Sequence, residues 1–304
     1  MTAFFALLEA LRPKQWTKNF LLFFGVVFAQ RAGDSELLLK SLEGFLIFCF
    51  LSGSIYLFND RLDVERDRLH PVKKNRPLAS GRLPEGLFRV GFVIISLGTL
   101  TLSWSLGRNF FFVALSFFLL NLIYTLWLKH QVILDVFGIA INFVLRAVAG
   151  VALMAEHLVT GIEVEGAPVD SAFLSPWLLV TTFFGALFLA FAKRRGELQL
   201  EDATKHRKVL EFYTKRLLDQ LLSLTAGVVL LAYALYTLWP ATVNRLGQDI
   251  IISNLFVTYG IMRYFYLVYR EKLGADPSEL LLKDRPLQVG VLFWVLTVIF
   301  CLGN

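Results

Sequence analysis

Long apolar runs separated by short charged intervals dominate this chain, and a window of about 19 residues resolves them into nine candidate membrane spans. They run at 19–36, 41–58, 87–106, 110–128, 132–155, 173–192, 217–239, 249–268 and 286–303. Each is close to the roughly 17–25 residues that a helix needs to cross a hydrocarbon core. The expected fold is therefore an all-α integral membrane protein of about nine transmembrane helices, one domain over residues 1–304. Two long polar intervals, at about 59–86 and 193–216, each lie between hydrophobic pairs, which suggests pseudo-symmetric halves. Ahead of the first span, Phe4, Phe5, Leu7, Leu8 and Leu11 form the pattern of a short helix lying on the bilayer surface, and no basic region marks a secretory signal.

Composition agrees, since 56% hydrophobic residues, 29 Phe and a mean hydropathy of +0.62 are too apolar for a soluble domain. A pI near 9.3 raises nucleic acid as a partner, but the positions of the charges argue against it. Of the 30 Lys and Arg, 24 fall in alternate loops on one side, four on the other and two, Arg146 and Arg263, inside spans. The basic side is expected to be cytoplasmic, which places the N-terminus inside and the C-terminus outside the cell membrane. Residues 156–172 carry Glu156, Glu163, Glu165 and Asp170 with no Lys or Arg, so that loop is expected to face outward. Both polar intervals then lie on the cytoplasmic side and can converge on a polar cavity there. Cys49 and Cys301 lie far apart in apolar runs as packing residues, and the four His have no metal-ligand spacing.

The chemistry concentrates where the second span ends, in Asn59-Asp60-Arg61-Leu62-Asp63-Val64-Glu65-Arg66-Asp67. On a helix, Asn59, Asp63 and Asp67 stand four apart and Asp60 precedes Asp63 by three, so their oxygens project from one face. Crowded carboxylates repel one another unless a cation neutralises them, and Mg²⁺ commonly binds one or two carboxylates together with phosphate oxygens. Lys73 and Arg76 follow within ten residues as partners for the remaining phosphate charge. Arg146 and Arg263 each place a guanidinium inside a span, at a cost of about 2.5–3.5 kcal/mol on insertion scales unless it faces a polar cavity or a partner. Asn142 lies one turn before Arg146. Lys14, Gln15 and Lys18 at the mouth of the first span either grip a lipid phosphate or contact anionic headgroups.

At the acidic motif the chain resembles the UbiA-type membrane prenyltransferase superfamily, whose hallmark is Asn-Asp-x-x-Asp-x-x-x-Asp at a helix end. The resemblance extends over essentially the whole chain. It sharpens toward members that act as decaprenyl-phosphate phosphoribosyltransferases at residues 11–19, 56–67, Leu128-Lys129-His130-Gln131, 145–150, Lys193-Arg194-Arg195-Gly196-Glu197-Leu198 and Tyr213-Thr214.

The resemblance implies a UbiA-like bundle around a cytoplasm-facing cavity and transfer of a 5-phosphoribosyl group from phosphoribosyl diphosphate to a polyprenyl phosphate, with Mg²⁺ as cofactor. With that chemistry, the acid spacing makes Asp60, Asp63 and Asp67 the expected catalytic residues, holding the metal with Asn59. Substrate contacts are expected from Lys14, Lys18, Asn59, Lys73, Arg76, Lys129, Arg146, Lys193, Arg194, Glu197, Tyr213 and Arg263. The alternative is isoprenyl transfer to an aromatic or other small acceptor. Aromatic prenyltransferases of the superfamily carry a second Asp-x-x-x-Asp, and the corresponding segment here is rich in cations, although Glu197 and Glu201 retain a four-residue spacing. A transporter fits less well, because the charges cluster at one membrane face and not near the midplane.

Overall fold

The computed structural model describes residues 3–28, 33–69, 72–159, 175–199, 208–270, Leu280 and 283–303, and every regular element among them is helical. Eight helices are long and apolar enough to cross a membrane, and this is a multi-pass membrane protein. Each coincides with an expected span. They are α3 (Ser35–Leu62), α5 (Glu85–Ser105), α6 (Arg108–Leu126), α7 (Leu134–Val159), α8 (Pro176–Leu198), α9 (Lys215–Leu238), α11 (Ser253–Arg270) and α12 (Arg285–Gly303). Shorter helices are α1 (Ala3–Ala10), α2 (Phe24–Phe28), α4 (Val64–Leu69) and α10 (Pro240–Leu246).

The first expected span, 19–36, is not one long helix among the described residues. Pro13–Phe23 winds as a 3₁₀ helix and passes into the five-residue α2. Asp34 then opens a new helix, its carboxylate accepting the amides of Glu36 and Leu37 at 3.1 and 3.3 Å and satisfying two of the donors at the start of α3. Apolar composition alone does not register that cap. The acidic loop expected to face outward falls mostly outside the described residues.

The chain divides into two compact units, 1–127 with 145–173, and 128–144 with 174–304, so that α7 supplies residues to both. In the first unit, α3 is apolar around its circumference and packs centrally, with Phe48, Leu51, Phe110, Phe117 and Leu153 all but solvent-free. The rings of Phe48 and Phe117 lie 5.0 Å apart. A smaller cluster of Ala6, Leu11, Leu57, Val64, Leu83 and Phe88 fastens α1 and the 78–83 loop to the acid-bearing end of α3. Gly107, at φ +132°, makes the tight link between α5 and α6 in a conformation that side chains disfavour.

The second unit is built on α8 against α9. Leu187, Phe188, Phe191, Leu218, Leu222, Tyr264 and Leu267 form its core together with Val136 and Ala140 from the start of α7. Tyr233 adds polar pins, bonding Ser253 at 2.8 Å and accepting the Trp294 indole N–H at 2.7 Å. Cys49 and Cys301 are both free and buried.

Candidate functional site

The acids of the motif straddle the end of α3. Asp63 leaves the helix in a turn at φ −98° and ψ 5°, yet the i to i−4 pattern survives across it. The Asp63 amide donates to the Asn59 carbonyl at 3.0 Å and the Asp67 amide to the Asp63 carbonyl at 2.8 Å. The one-turn spacing expected from the sequence is thereby kept. It buries the side chains of Asp60 and Asp67 to 5% exposure and leaves Asn59 and Asp63 half-buried at the same helix end.

Two arginines meet the buried pair. Arg76 Nη1 donates to Asp60 Oδ1 at 3.0 Å and to Asp67 Oδ2 at 2.6 Å, so both carboxylates face one guanidinium nitrogen. Arg12 Nη2 donates to the same Asp60 oxygen, and its guanidinium lies 4.7 Å from the centre of the Tyr56 ring. Arg12 holds a left-handed backbone at φ 54° and ψ 63°, rare for a side-chain-bearing residue and sustained where surrounding contacts over-determine it. The loop that carries Arg76 is tied down by Arg82, which grips Glu9 with bonds of 2.6 and 2.9 Å and donates to the Asn75 carbonyl at 2.5 Å. That hydrogen-bonded fork holds the Glu9 carboxyl below its ordinary range.

Among the described residues, no three carboxylates converge at metal-holding distance. The structure brings Asp60 and Asp67 together, with Lys73 half-buried on the adjoining 3₁₀ turn Lys73–Asn75. Two hard oxygen donors sharing one cation suit Mg²⁺, which takes one or two protein carboxylates and completes its shell with phosphate and water. The donor set therefore fits the ion. Arg12 and Tyr56 lie in the segments 11–19 and 56–67 that carry the resemblance, but the sequence reading gave neither a place in the site.

Lys14 is exposed and Lys18 half-buried on the 3₁₀ stretch. Asn19, one residue further, is 1% exposed, accepts from Arg146 Nε at 2.8 Å and donates to Cys49 Sγ at 3.3 Å. Arg146 is 6% exposed and its guanidinium lies 4.7 Å from the centre of the Phe117 ring. It thus joins the 3₁₀ stretch to α7 and α6 at the middle of the span. Asn142 bonds back to the Gly138 carbonyl of its own helix at 2.9 Å.

A second polar cluster lies within the other unit. Arg194, 1% exposed, donates to Asp135 at 2.7 Å and to Glu197 at 2.8 Å. Asp135 is wholly buried and takes a further bond of 2.8 Å from the Tyr213 hydroxyl. That hydroxyl accepts the amide of Ile133 at 2.7 Å, pinning a β-branched residue at φ 69°. Burial, and then the Asp135 charge, push the Tyr213 phenol above its usual range. Three segments singled out in the sequence, 128–131, 193–198 and 213–214, thus meet around Asp135, which the sequence reading did not single out. Lys129 and Lys193 are half-buried there. Glu201 lies outside the described residues.

Arg263 forms a two-bond pair with Asp284 at 3.1 and 2.7 Å, and Asp284 also accepts the Leu287 amide at the start of α12. Arg195 pairs with Asp219 and donates to the Val268 carbonyl at 3.0 Å. An open groove of about 740 Å³ beside that pair is lined by Lys215, Arg216, Asp219, Gln220, Ser223 and Tyr269, none of them an expected site residue.

Residues 18–294 match the model of the UbiA prenyltransferase family. A decaprenyl-phosphate phosphoribosyltransferase of Mycolicibacterium smegmatis is 34% identical over 305 residues, which span 96% of this chain and 91% of the relative. The protein of that name from Mycobacterium tuberculosis is 33% identical over 296 residues, 95% and 92% of the two chains. Among solved structures, a UbiA homolog from Archaeoglobus fulgidus bound to DMAPP and Mg²⁺ superposes with a TM-score of 0.71 at 18% identity, covering 98% of this chain and 99% of that one. At such identity the likeness speaks for the fold alone.

Proposed function

Since the chain belongs to the UbiA prenyltransferase family, we propose that it transfers a 5-phosphoribosyl group from phosphoribosyl diphosphate to a polyprenyl phosphate of the decaprenyl type, releasing pyrophosphate. The observation that carries this reading is the likeness, over nearly the full length of both chains, to relatives named for that reaction. The basic segment Lys193–Arg195, at the position where aromatic prenyltransferases of the superfamily carry a second acidic motif, supports it. The positive-inside count supports an N-terminus and an active site on the cytoplasmic side of the cell membrane.

Asp60 and Asp67, with Asn59 and Asp63 at the same helix end, are the residues that would hold Mg²⁺. When bound, the ion offsets charge on the departing pyrophosphate. Arg12, Arg76 and Lys73 orient the donor's diphosphate by charge-assisted hydrogen bonds. The bond from the anomeric carbon to the diphosphate oxygen breaks with its electron pair, and a phosphate oxygen of the lipid forms the new bond from the opposite face. Lys14 and Lys18 hold that lipid phosphate. No side chain has to act as general base, because the acceptor oxygen is already anionic at neutral pH. Positioning and electrostatics then carry the catalysis. Arg146, enclosed at mid-span, acts by bracing Asn19 and the 3₁₀ stretch.

The test is to incubate purified, detergent-solubilised protein with Mg²⁺, phosphoribosyl diphosphate labelled in the ribose, and decaprenyl phosphate, and to count label extracted into organic solvent. Label in the lipid that disappears on chelation is expected. No label, with product formed instead from an isoprenyl diphosphate and an aromatic acceptor, would assign the chain to prenyl transfer.

A further inference from the structure

We infer that Arg12 and Arg76 are exchangeable counter-cations of the acid site, so that the metal and the diphosphate are taken up together and the site resists the metal alone. This rests on the proposed reading of Asp60 and Asp67 as the metal's protein ligands. The geometry is one of covering. Asp60 and Asp67 are 5% exposed, whereas the arginine side chains that contact them are 26% and 25% exposed, so the arginines are the partners within reach of solvent. Asp60 Oδ1 is shared by both arginines, and Arg76 alone spans Asp60 and Asp67. An ion that takes Asp60 Oδ1 or Asp67 Oδ2 competes with a guanidinium for that oxygen.

Charge decides what can displace it. The two buried carboxylates are matched by two guanidiniums, which is what makes their burial tolerable. A divalent ion arriving alone would add two positive charges beside the arginines in a partly desolvated site, and Coulomb repulsion opposes it. A diphosphate changes the balance, because it offers each guanidinium a bidentate phosphate partner while the metal takes the vacated carboxylates. The arginines thus exchange one anion for another without leaving the site. Metal affinity and diphosphate affinity are then coupled, each raising the other by the same factor.

Manganese binding to the full-length protein in detergent, read from the free-ion electron paramagnetic resonance signal against a protein-free blank with the same phosphoribosyl diphosphate, tests this. Wild type should bind Mn²⁺ weakly alone and about tenfold or more tightly with phosphoribosyl diphosphate and no lipid acceptor. Arg76→Gln should tighten binding of Mn²⁺ alone by about tenfold and weaken phosphoribosyl diphosphate binding. Arg12→Gln, whose partner Asp60 retains Arg76, should act in the same direction and serves if Arg76→Gln does not fold. Unchanged or weaker binding of Mn²⁺ alone in the folded variants would overturn the exchange while leaving the metal site standing. Failure of wild type to take up Mn²⁺ even with phosphoribosyl diphosphate would overturn both.

Discussion

Asp67 shares the Arg76 guanidinium with Asp60, so replacing it by Asn removes one charge of a buried pair and keeps its shape. Asp67→Asn and Asp63→Asn are each expected to lower turnover by roughly 10²-fold or more while the protein still inserts in membranes, checked by lipid-label assay beside membrane yield. Arg263 and Asp284 make a different kind of pair, in which the arginine fork holds the Asp284 carboxyl below its ordinary range. A depressed carboxylate contributes stability that is present above the unfolded-state value, near 4, and is lost as pH falls through the folded one. Wild type should therefore melt above Asp284→Asn at pH 7, and the gap should close below about pH 4 in thermal melts of solubilised protein. Whether a charged residue in a span serves a site or a strut was not legible at Arg263. Its partner stands 21 positions away at the start of another helix.

Helix contacts in the first unit depend on a close crossing of the α2 region with α7. A Cβ on Gly150 would lie 2.0 Å from the Leu22 carbonyl oxygen, and one on Gly25 would lie 2.2 Å from the Gly150 oxygen. Both clashes are with backbone, which cannot rotate away. Gly150→Ala should cost about 1–3 kcal/mol or more in detergent melts, whereas Gly227→Ala in α9, with open space around the new carbon, should be neutral or slightly stabilising. Gly150 lies one turn beyond Arg146, so the same crossing sets the register that lets Arg146 reach Asn19. In the second unit, Tyr213→Phe removes the acceptor for the strained Ile133 amide and a donor to Asp135. A loss of about 1–3 kcal/mol is expected, with faster amide exchange over 131–136. The spans themselves were readable because hydropathy accumulates over a window. The 3₁₀ entry at Pro13–Phe23 was not, since it packs where Leu22 and Gly25 approach Gly150, a residue remote in sequence.

For the molecule as a whole, the distribution of cations sets the expected orientation in the membrane. Ser80 is exposed in the basic loop before α5 and Ser105 is exposed at the far end of that helix. With both native cysteines buried, an impermeant thiol reagent should label Ser80→Cys only in inside-out vesicles and Ser105→Cys only in right-side-out ones. The chain by itself determined that this is a multi-span helical membrane protein with a basic side and an acidic motif at a helix end. Each of those properties is a sum of single-residue terms over neighbours in sequence, such as transfer energy, helical spacing or local charge. Which charges neutralise which was decided only by the tertiary structure. Asp60 meets Arg12 across 48 positions, Asp135 meets Arg194 across 59 and Arg146 reaches Asn19 across 127. Electrostatic partnership falls off with distance in space, and distance in space between remote segments exists only once the helices have packed.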